Sequence, residues 1–306
     1  MKLNKLRRRR GGVIDRRGEG YGGGGIGTGR GMGMPIPGGT GGIGLVGIIV
    51  IVVLVFLVPR CLGSSSSTVI PDPGAVNGFP SVQAGGSSQI DPTDPMGNFV
   101  DAVGDDVNLT WQDVFQGANR QYQPADIVLY HGSTSTGCGR GDASTGPFYC
   151  PVDDRVYLDA GFFTELQDRF HASGDFAEAY VIAHEIGHHV QDLLGISGEV
   201  DRASQQDPGS ANELSIRLEL QADCLAGVWG HSADQRGVLD PGDLQEAITA
   251  AQAVGDDRIQ ASTTGTVNEK TWTHGSADQR SRWLQRGLDQ GNMAACDTFS
   301  IPFDQL

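Results

Sequence analysis

The sequence predicts an α+β domain, mainly helical with a small sheet, behind a single N-terminal transmembrane helix. Residues 43–58 form a run of sixteen residues without a charge, IGLVGIIVIVVLVFLV. Beyond it, short apolar runs of strand character come first and longer segments of helical periodicity follow. Strands and helices do not alternate regularly, and this favours helices gathered on a small sheet over a parallel α/β fold.

The first part of the chain predicts a disordered tail followed by a membrane anchor. Residues 1–42 are rich in glycine, contain the basic cluster at 7–10 and lack the large apolar side chains of a core. Residues 43–60 are predicted to span a membrane, because the apolar run has no polar face, unlike a surface helix of similar length. A buried core helix of similar length is one alternative. A cleaved signal peptide is the other, but the basic region is long and Val58 precedes no small-residue cleavage site.

The charge distribution predicts the orientation of this anchor and excludes one class of partner. Residues 1–40 carry nine Lys or Arg and two acids, whereas the chain after Arg60 carries twelve against thirty-five. The positive-inside rule therefore predicts a cytoplasmic N-terminus and an extracytoplasmic C-terminal domain at the cell membrane. Such an acidic domain is a poor partner for nucleic acid.

The remaining chain divides into a tether and a folded domain. Residues 61–95 are rich in Ser, Gly and Pro and are predicted to be a linker, so the domain spans 96–306. Within it, Thr110 and Asp113 resemble a capping box that opens a helix. The runs DIVLY at 126–130 and RVYL at 155–158 have the composition of strands.

Four cysteines of the domain predict disulfide bonds, since an exported domain lies where oxidation is permitted. Cys138 and Cys150 bracket a glycine-rich loop, which favours a local bridge between them. Three pairings are open in principle, and the local bridge leaves Cys224 for Cys296. Cys61 is left over, and an intermolecular bridge, a free thiol and a lipid attachment all stay open for it.

The segment DFAEAYVIAHEIGHHVQDLL at 175–194 predicts a helix that binds a metal ion. Its apolar residues recur at helical spacing, and Gly195 supplies a stop signal. His184 and His188 stand four residues apart, so both imidazoles can reach one ion from the same side of the helix. Glu185 points about a quarter-turn away, where a general base is needed. Two exposed histidines on a surface helix are the alternative.

Catalytic zinc usually has three protein ligands, so a third was sought in the helix predicted at 211–229. Glu213 fits a capping box with Ser210. Glu219 stands mid-helix between two leucines, and Asp223 follows one turn later on the same face. This pair suits a zinc ligand and a carboxylate that orients a metal-bound histidine, whereas an exposed acidic stripe is the alternative.

Three separate blocks, AHEIGHHVQDLLG, RLELQADCLAGVWGH and THGSADQRSRWLQRG, together resemble the neutral zinc metallopeptidases of bacteria. The resemblance covers roughly 96–296 and implies a zincin-type domain, often behind an N-terminal anchor, with one zinc ion per chain and a peptide or protein substrate. It implies that His184, His188 and Glu219 hold zinc and that Glu185 is the catalytic acid and base. The interval between His188 and Glu219 is longer than in thermolysin-like enzymes, which indicates a distinct branch.

The donor that stabilises the oxyanion of such a reaction is sought outside the metal helix. His274 is the first candidate, because it stands just before the helix opened by Ser276, although a histidine satisfied within the fold is the alternative. Tyr149 and Tyr157 follow, since they lie near the strand expected along the cleft.

Two other classes of protein stay open from the sequence. One is a non-catalytic extracytoplasmic binding module that zinc stabilises, and the other is an anchored scaffold without metal. A structural zinc site is normally closed by four protein ligands, often cysteines, whereas the predicted site offers three and an acid beside the open position. The sequence makes no prediction about oligomeric state.

Overall fold

The computed structural model of the chain describes residues 1–9, 11–19, 90–91 and 93–306. In this part of the chain six strands and eight α-helices are joined by short turns and 3₁₀ helices. The strands are β1 Val13–Asp15, β2 Asp126–Tyr130, β3 Ser133–Thr136, β4 Gly139–Asp142, β5 Phe148–Cys150 and β6 Arg155–Asp159. The helices are α1 Pro95–Gly117, α2 Phe162–Asp168, α3 Asp175–Leu193, α4 Ile196–Gln206, α5 Ala211–Gln235, α6 Asp243–Ala253, α7 Asp256–Thr264 and α8 Ala277–Gln290.

Four strands form one small mixed sheet in the order β1-β2-β6-β5. The first three run parallel, and β5 pairs with β6 in the antiparallel direction. Strand periodicity places Ile127 and Leu129 in the main core with the helices, whereas Val128 and Tyr130 pack on the opposite face. Strands β3 and β4 form a separate hairpin. Helices therefore dominate a fold with a small sheet, as the α+β prediction states.

Local signals predicted several elements correctly. The strand at Asp126–Tyr130 and the helix from Asp175 are present, and Gly195 ends the helix with a left-handed φ of 80°. Ser276 caps α8 in a complete capping box with Gln279. Both predicted disulfide bonds are formed. They join Cys138 to Cys150 and Cys224 to Cys296.

Two predicted capping boxes are wrong. Thr110 lies inside α1, where its hydroxyl donates to the Asp106 carbonyl rather than capping a helix start. Ser210 precedes α5 but makes no side-chain cap, because its hydroxyl donates to the Asp207 carbonyl. Glu213 instead accepts two hydrogen bonds from Arg217 one turn later.

The site is positioned by three helices that approach one another closely. Helix α3 packs against α5 at Gly187, where a β-carbon would lie 3.1 Å from the Ala222 carbonyl oxygen. Helix α8 crosses α5 at Gly287, where a β-carbon would overlap the backbone of Cys224. Because glycine lacks this carbon, the backbones come near enough for side chains of all three helices to meet.

The prediction of disorder from residue 1 is wrong for residues 1–9 and 11–19, here called the N-terminal arm. The arm contributes β1, which pairs with β2, and it places Leu6 and Val13 in the main core. Its basic side chains contact acidic residues of the domain. The physical reason is that partners distant in sequence stabilise a segment whose own composition cannot form a core. Residues 20–42 lie outside the described part of the chain.

The predicted transmembrane helix at 43–60 also lies outside the described residues, as does most of the predicted linker at 61–95. Among the helices formed within 1–9, 11–19, 90–91 and 93–306, none combines the length and the apolar composition that crossing a membrane requires. The folded part after the gap starts earlier than residue 96, because Ile90 already packs against the core.

Half-buried Glu178 on α3 gives a pH-dependent prediction. Burial, with a smaller contribution from Asp175, raises the pKa of Glu178 to about 7 from its usual value near 4.5. The folded protein therefore binds more protons than the unfolded chain between these values, and stability falls as pH rises through this range. We expect Glu178→Gln to stabilise the protein by about 1 kcal/mol at pH 8, allowing for solvent screening. The gain should vanish near pH 4.5.

Thermal unfolding at several pH values measures this difference. The exposed Glu199 provides the control, because Glu199→Gln removes the same charge from a solvated position. A constant effect of Glu178→Gln across pH 4.5 to 8 would contradict the assignment.

Candidate metal centre

The structure brings together the three residues that the sequence predicted as ligands. His184 Nε2 lies 3.2 Å from one carboxylate oxygen of Glu219, and His188 Nε2 lies 3.4 Å from the other. Zinc–ligand distances near 2.0–2.2 Å at tetrahedral angles separate neighbouring ligand atoms by about 3.3 Å. The side chains are 7%, 17% and 17% exposed, so the group is shielded but reachable. The three side chains fit one zinc ion.

The orientation of His188 is fixed by Gln191. The Gln191 amide nitrogen donates to the Leu218 carbonyl at 2.7 Å and to Gln221 at 3.0 Å, so its oxygen faces His188. His188 Nδ1 lies 2.8 Å from that oxygen and must carry the proton. The Nε2 lone pair is thereby left for a cation.

His184 is oriented in the same way by Asp223. Its Nδ1 lies 2.8 Å from the Asp223 carboxylate, which is completely buried. Burial alone would lower the pKa of His184, but the carboxylates of Asp223 and Glu219 raise it to about 10. The centre therefore attracts positive charge, and a metal ion binding to Nε2 would replace a proton.

Asp223 is itself held by two groups that the sequence reasoning missed. The guanidinium of Arg280, from α8, donates Nε and Nη2 to the two carboxylate oxygens at 2.9 Å each. The Tyr180 hydroxyl donates to the same carboxylate at 2.6 Å. Burial raises the pKa of Asp223, but Arg280 and His184 outweigh burial and the net pKa is lowered. Asp223 therefore stays a carboxylate beneath His184.

Glu185 follows His184 on α3, is only 7% exposed and interacts electrostatically with His184, His188 and Glu219. Burial raises its pKa, although the charges of His184 and His188 oppose that shift. A carboxylate with raised basicity next to the open side of a metal centre can accept a proton from water.

His274 lies beside the centre and forms a pair with Asp256. The Asp256 carboxylate accepts the backbone N–H groups of Thr273 and His274 at 2.7 Å each, and His274 Nδ1 lies 3.2 Å from its other oxygen. Burial would lower the pKa of His274, but the charges of Glu219 and Asp256 raise it. The raised pKa favours the protonated ring, in which Nε2 also carries a proton, and with a third of its side chain exposed His274 can present that N–H as a donor.

The two tyrosines considered as donors have other partners. The Tyr149 hydroxyl contacts Asp192 and His189 at 3.1 Å, and the Tyr157 hydroxyl contacts Asp153 at 2.6 Å. His189 is fully buried and its Nε2 lies 2.6 Å from the Gln123 carbonyl, so it is not a surface histidine. The contacts of Tyr149 connect β5 to α3, the helix that carries His184 and His188.

A second group of carboxylates, Asp175, Asp243 and Glu246, is also close enough to share a cation. Here the Met1 amino group lies 2.7 Å from Asp175 and 3.3 Å from Asp243. This cluster is thus already engaged by the arm.

Comparisons with known proteins agree with the geometry. Residues 1–299 match the family described as "Putative neutral zinc metallopeptidase". The chain is 48% identical to YpfJ of Escherichia coli strain K12 over 229 residues, which cover 74% of this chain and 79% of YpfJ. It is 46% identical to Rv2575 of Mycobacterium tuberculosis strain H37Rv over 210 residues, covering 65% and 69% of the two chains. No solved structure matches it.

Proposed function

Because the chain belongs to the family of neutral zinc metallopeptidases, we propose that it is a zinc-dependent peptidase that hydrolyses peptide bonds in a peptide or protein substrate. The resemblance recognised from the three sequence blocks is thereby confirmed at the level of the family. The single observation that supports the proposal most strongly is the convergence of His184, His188 and Glu219 around a point that suits one zinc ion.

In this proposal His184, His188 and Glu219 hold the ion through Nε2, Nε2 and a carboxylate. The chemistry supplied by zinc held there would be a lowered pKa of bound water, toward neutrality, and polarisation of the scissile carbonyl. Asp223 and Gln191 fix the two imidazoles with Nε2 directed at the ion. The protein thus presents three ligands and leaves one direction for water and substrate.

Proton transfer is assigned to Glu185. Its carboxylate takes the proton of the attacking water and delivers it to the leaving amine, which its buried position and raised pKa favour. His274 is assigned the role of oxyanion donor, because Asp256 accepts from Nδ1–H and the raised pKa of His274 favours the protonated ring, in which Nε2 also carries a proton.

The substrate is expected to bind beside β5. This strand lies next to α3 through Tyr149, and within the described residues it pairs on one side only, with β6. An extended peptide can add to such an edge by backbone hydrogen bonds. This arrangement would place a peptide bond along the side of the centre.

The alternative, a non-catalytic module stabilised by zinc, is less well supported. A structural zinc site is normally closed by four protein ligands. The group described here has three, and Glu185 is buried next to them without completing a fourth ligand. A buried carboxylate such as Glu185 beside three ligands is expected in a catalytic zinc site, where it can transfer protons, and has no role in a structural one.

The metal assignment is tested by zinc affinity. We expect Glu219→Gln to weaken zinc binding by more than about 100-fold, because loss of a ligand should exceed the 10–100-fold effect typical of groups that orient ligands. Competition with a chromophoric chelator measures this. Hydrolysis of a fluorescent peptide library should disappear on chelation and return with zinc.

Glu213→Gln is the matched control, since Glu213 stands on the same helix and pairs with Arg217 away from the centre. If Glu219→Gln bound zinc as tightly as Glu213→Gln does, the third ligand would have to be another residue. Peptide hydrolysis that is unaffected by removal of the metal would refute the proposed function.

A further inference from the structure

The acidic face of α1 is covered by the basic side chains of the N-terminal arm. The Arg7 backbone N–H donates to Asp106 at 2.9 Å, and its guanidinium contacts Thr110 at 2.7 Å. Arg8 pairs with Asp101 at 2.7 Å, and the Arg9 backbone N–H donates to Asp105 at 2.7 Å. Three successive residues of the arm thus each contact a different carboxylate of α1.

These contacts are part of the folded core rather than a surface association. Asp105 and Asp106 are 2% and 0% exposed. Asp106 also accepts hydrogen bonds from Trp229 on α5 and from Arg236, which directly follows that helix. The arm therefore contacts a buried polar network between α1 and the C-terminal end of α5. A buried carboxylate needs such partners, because an unpaired charge inside a protein is costly.

The sheet holds the same segment at a second place. β1 pairs with β2 in register, with Val13 opposite Ile127 and Asp15 opposite Leu129. The Ile127 N–H donates to the Gly12 carbonyl at 2.7 Å, and the Arg16 N–H donates to the Leu129 carbonyl at 2.8 Å. Backbone pairing and charge pairing together fix the arm along α1 and β2.

From this we infer that the acidic face of α1 is a docking surface for the arm and that arm and domain therefore lie on the same side of the membrane. The hydrocarbon core of a bilayer is about 30 Å thick, and contacts below 3 Å cannot form across it. A single crossing by residues 43–58 would place the arm and the domain on opposite sides, as the positive-inside rule predicted.

The charge pairing also explains why the positive-inside rule does not predict the location of the arm. Its cluster of arginines would ordinarily hold a segment in the cytoplasm. Here Arg7, Arg8 and Arg9 face carboxylates of the domain, so their charge is balanced within the protein. The basic cluster is consequently a docking element instead of a topology signal. This inference does not rest on the proposed peptidase activity.

Docking is tested by exchanging one ion pair in the full chain. We expect Arg8→Asp to lower the thermal midpoint by several degrees and the double variant Arg8→Asp/Asp101→Arg to recover most of the loss. Lys5→Asp makes the same charge change at an exposed position of the arm and should have little effect. If the double variant unfolded at a temperature as low as Arg8→Asp, direct pairing would be refuted.

Whether the arm and the domain lie on the same side of a membrane is tested by labelling single cysteines with a membrane-impermeant maleimide in intact cells. Asn4→Cys reports the arm and Gln205→Cys reports the domain, both at exposed positions in a Cys61→Ser background. Detergent-treated cells show that each thiol is reactive. We expect the two reporters to agree, either both labelled or both protected. Labelling of the domain alone, or of the arm alone, would overturn the inference.

Discussion

Replacing Glu185 by Gln should reduce peptide hydrolysis by about 10²–10⁴-fold, the contribution typical of a positioned general acid and base. Glutamine keeps the size of the side chain but cannot accept the proton of water. The chain should still bind zinc, because His184, His188 and Glu219 are unchanged. Single-turnover hydrolysis of a quenched fluorescent peptide, measured with the zinc content of the same sample, checks both expectations.

Glu178→Gln is the control for this variant, since it removes a carboxylate from the same helix six residues before His184. It should retain full activity at saturating zinc. Equal turnover in Glu185→Gln and Glu178→Gln would show that Glu185 takes no part in proton transfer. Loss of zinc from Glu185→Gln would instead show that Glu185 has a structural role at the metal site.

Replacing Arg280 by Met should destabilise the protein by about 3–5 kcal/mol, the range expected when one partner of a buried ion pair is removed. Arg280 is 5% exposed and binds both oxygens of Asp223. Methionine fills much of the volume but leaves that carboxylate without its cation. Chemical denaturation measures the change. Adding Asp223→Asn should restore part of the loss, because the uncompensated charge is then removed as well.

Arg286→Met serves as the control for Arg280→Met. Arg286 lies on the exposed face of the same helix and rests over the Trp283 ring at 5.0 Å. Its replacement should cost less than about 1 kcal/mol, as for most surface positions. Comparable losses of unfolding free energy in Arg280→Met and Arg286→Met would show that the Arg280–Asp223 pair contributes no more to stability than a surface arginine does.

Local spacing accounts for the predicted ligands that the structure brings together and for the predicted cap that it contains. Two histidines four residues apart on a helix must face the same way, whatever the rest of the fold does. Glu219 could be selected because an acid between Leu218 and Leu220 has no local reason to be there. Likewise, Ser276 and Gln279 contain a whole capping box within four residues, and the structure retains it.

The features that could not be predicted depend on partners far away in the chain. Arg280 is 57 residues from Asp223, and no local pattern distinguishes it from the exposed arginines of α8. Gln191 acts on His188 only because α5 offers acceptors for its amide group. The sequence therefore singles out neither residue.

The arm shows the same limit most clearly. The composition of residues 1–42 predicts a disordered tail, because glycine and arginine cannot build a core of their own, yet residues 1–9 and 11–19 pack on the domain. Their partners, such as Asp106 for Arg7 and Ile127 for Val13, lie about a hundred residues further on. Composition predicts only whether a segment can fold alone, whereas here the domain provides the contacts that order the arm.

Anomalous diffraction at the zinc absorption edge, from crystals of the full chain grown with zinc, tests the central claim most directly. The account predicts one anomalous peak within about 2.0–2.2 Å of His184 Nε2, His188 Nε2 and a Glu219 carboxylate oxygen. A zinc peak bound elsewhere, with these three side chains unligated, would contradict it.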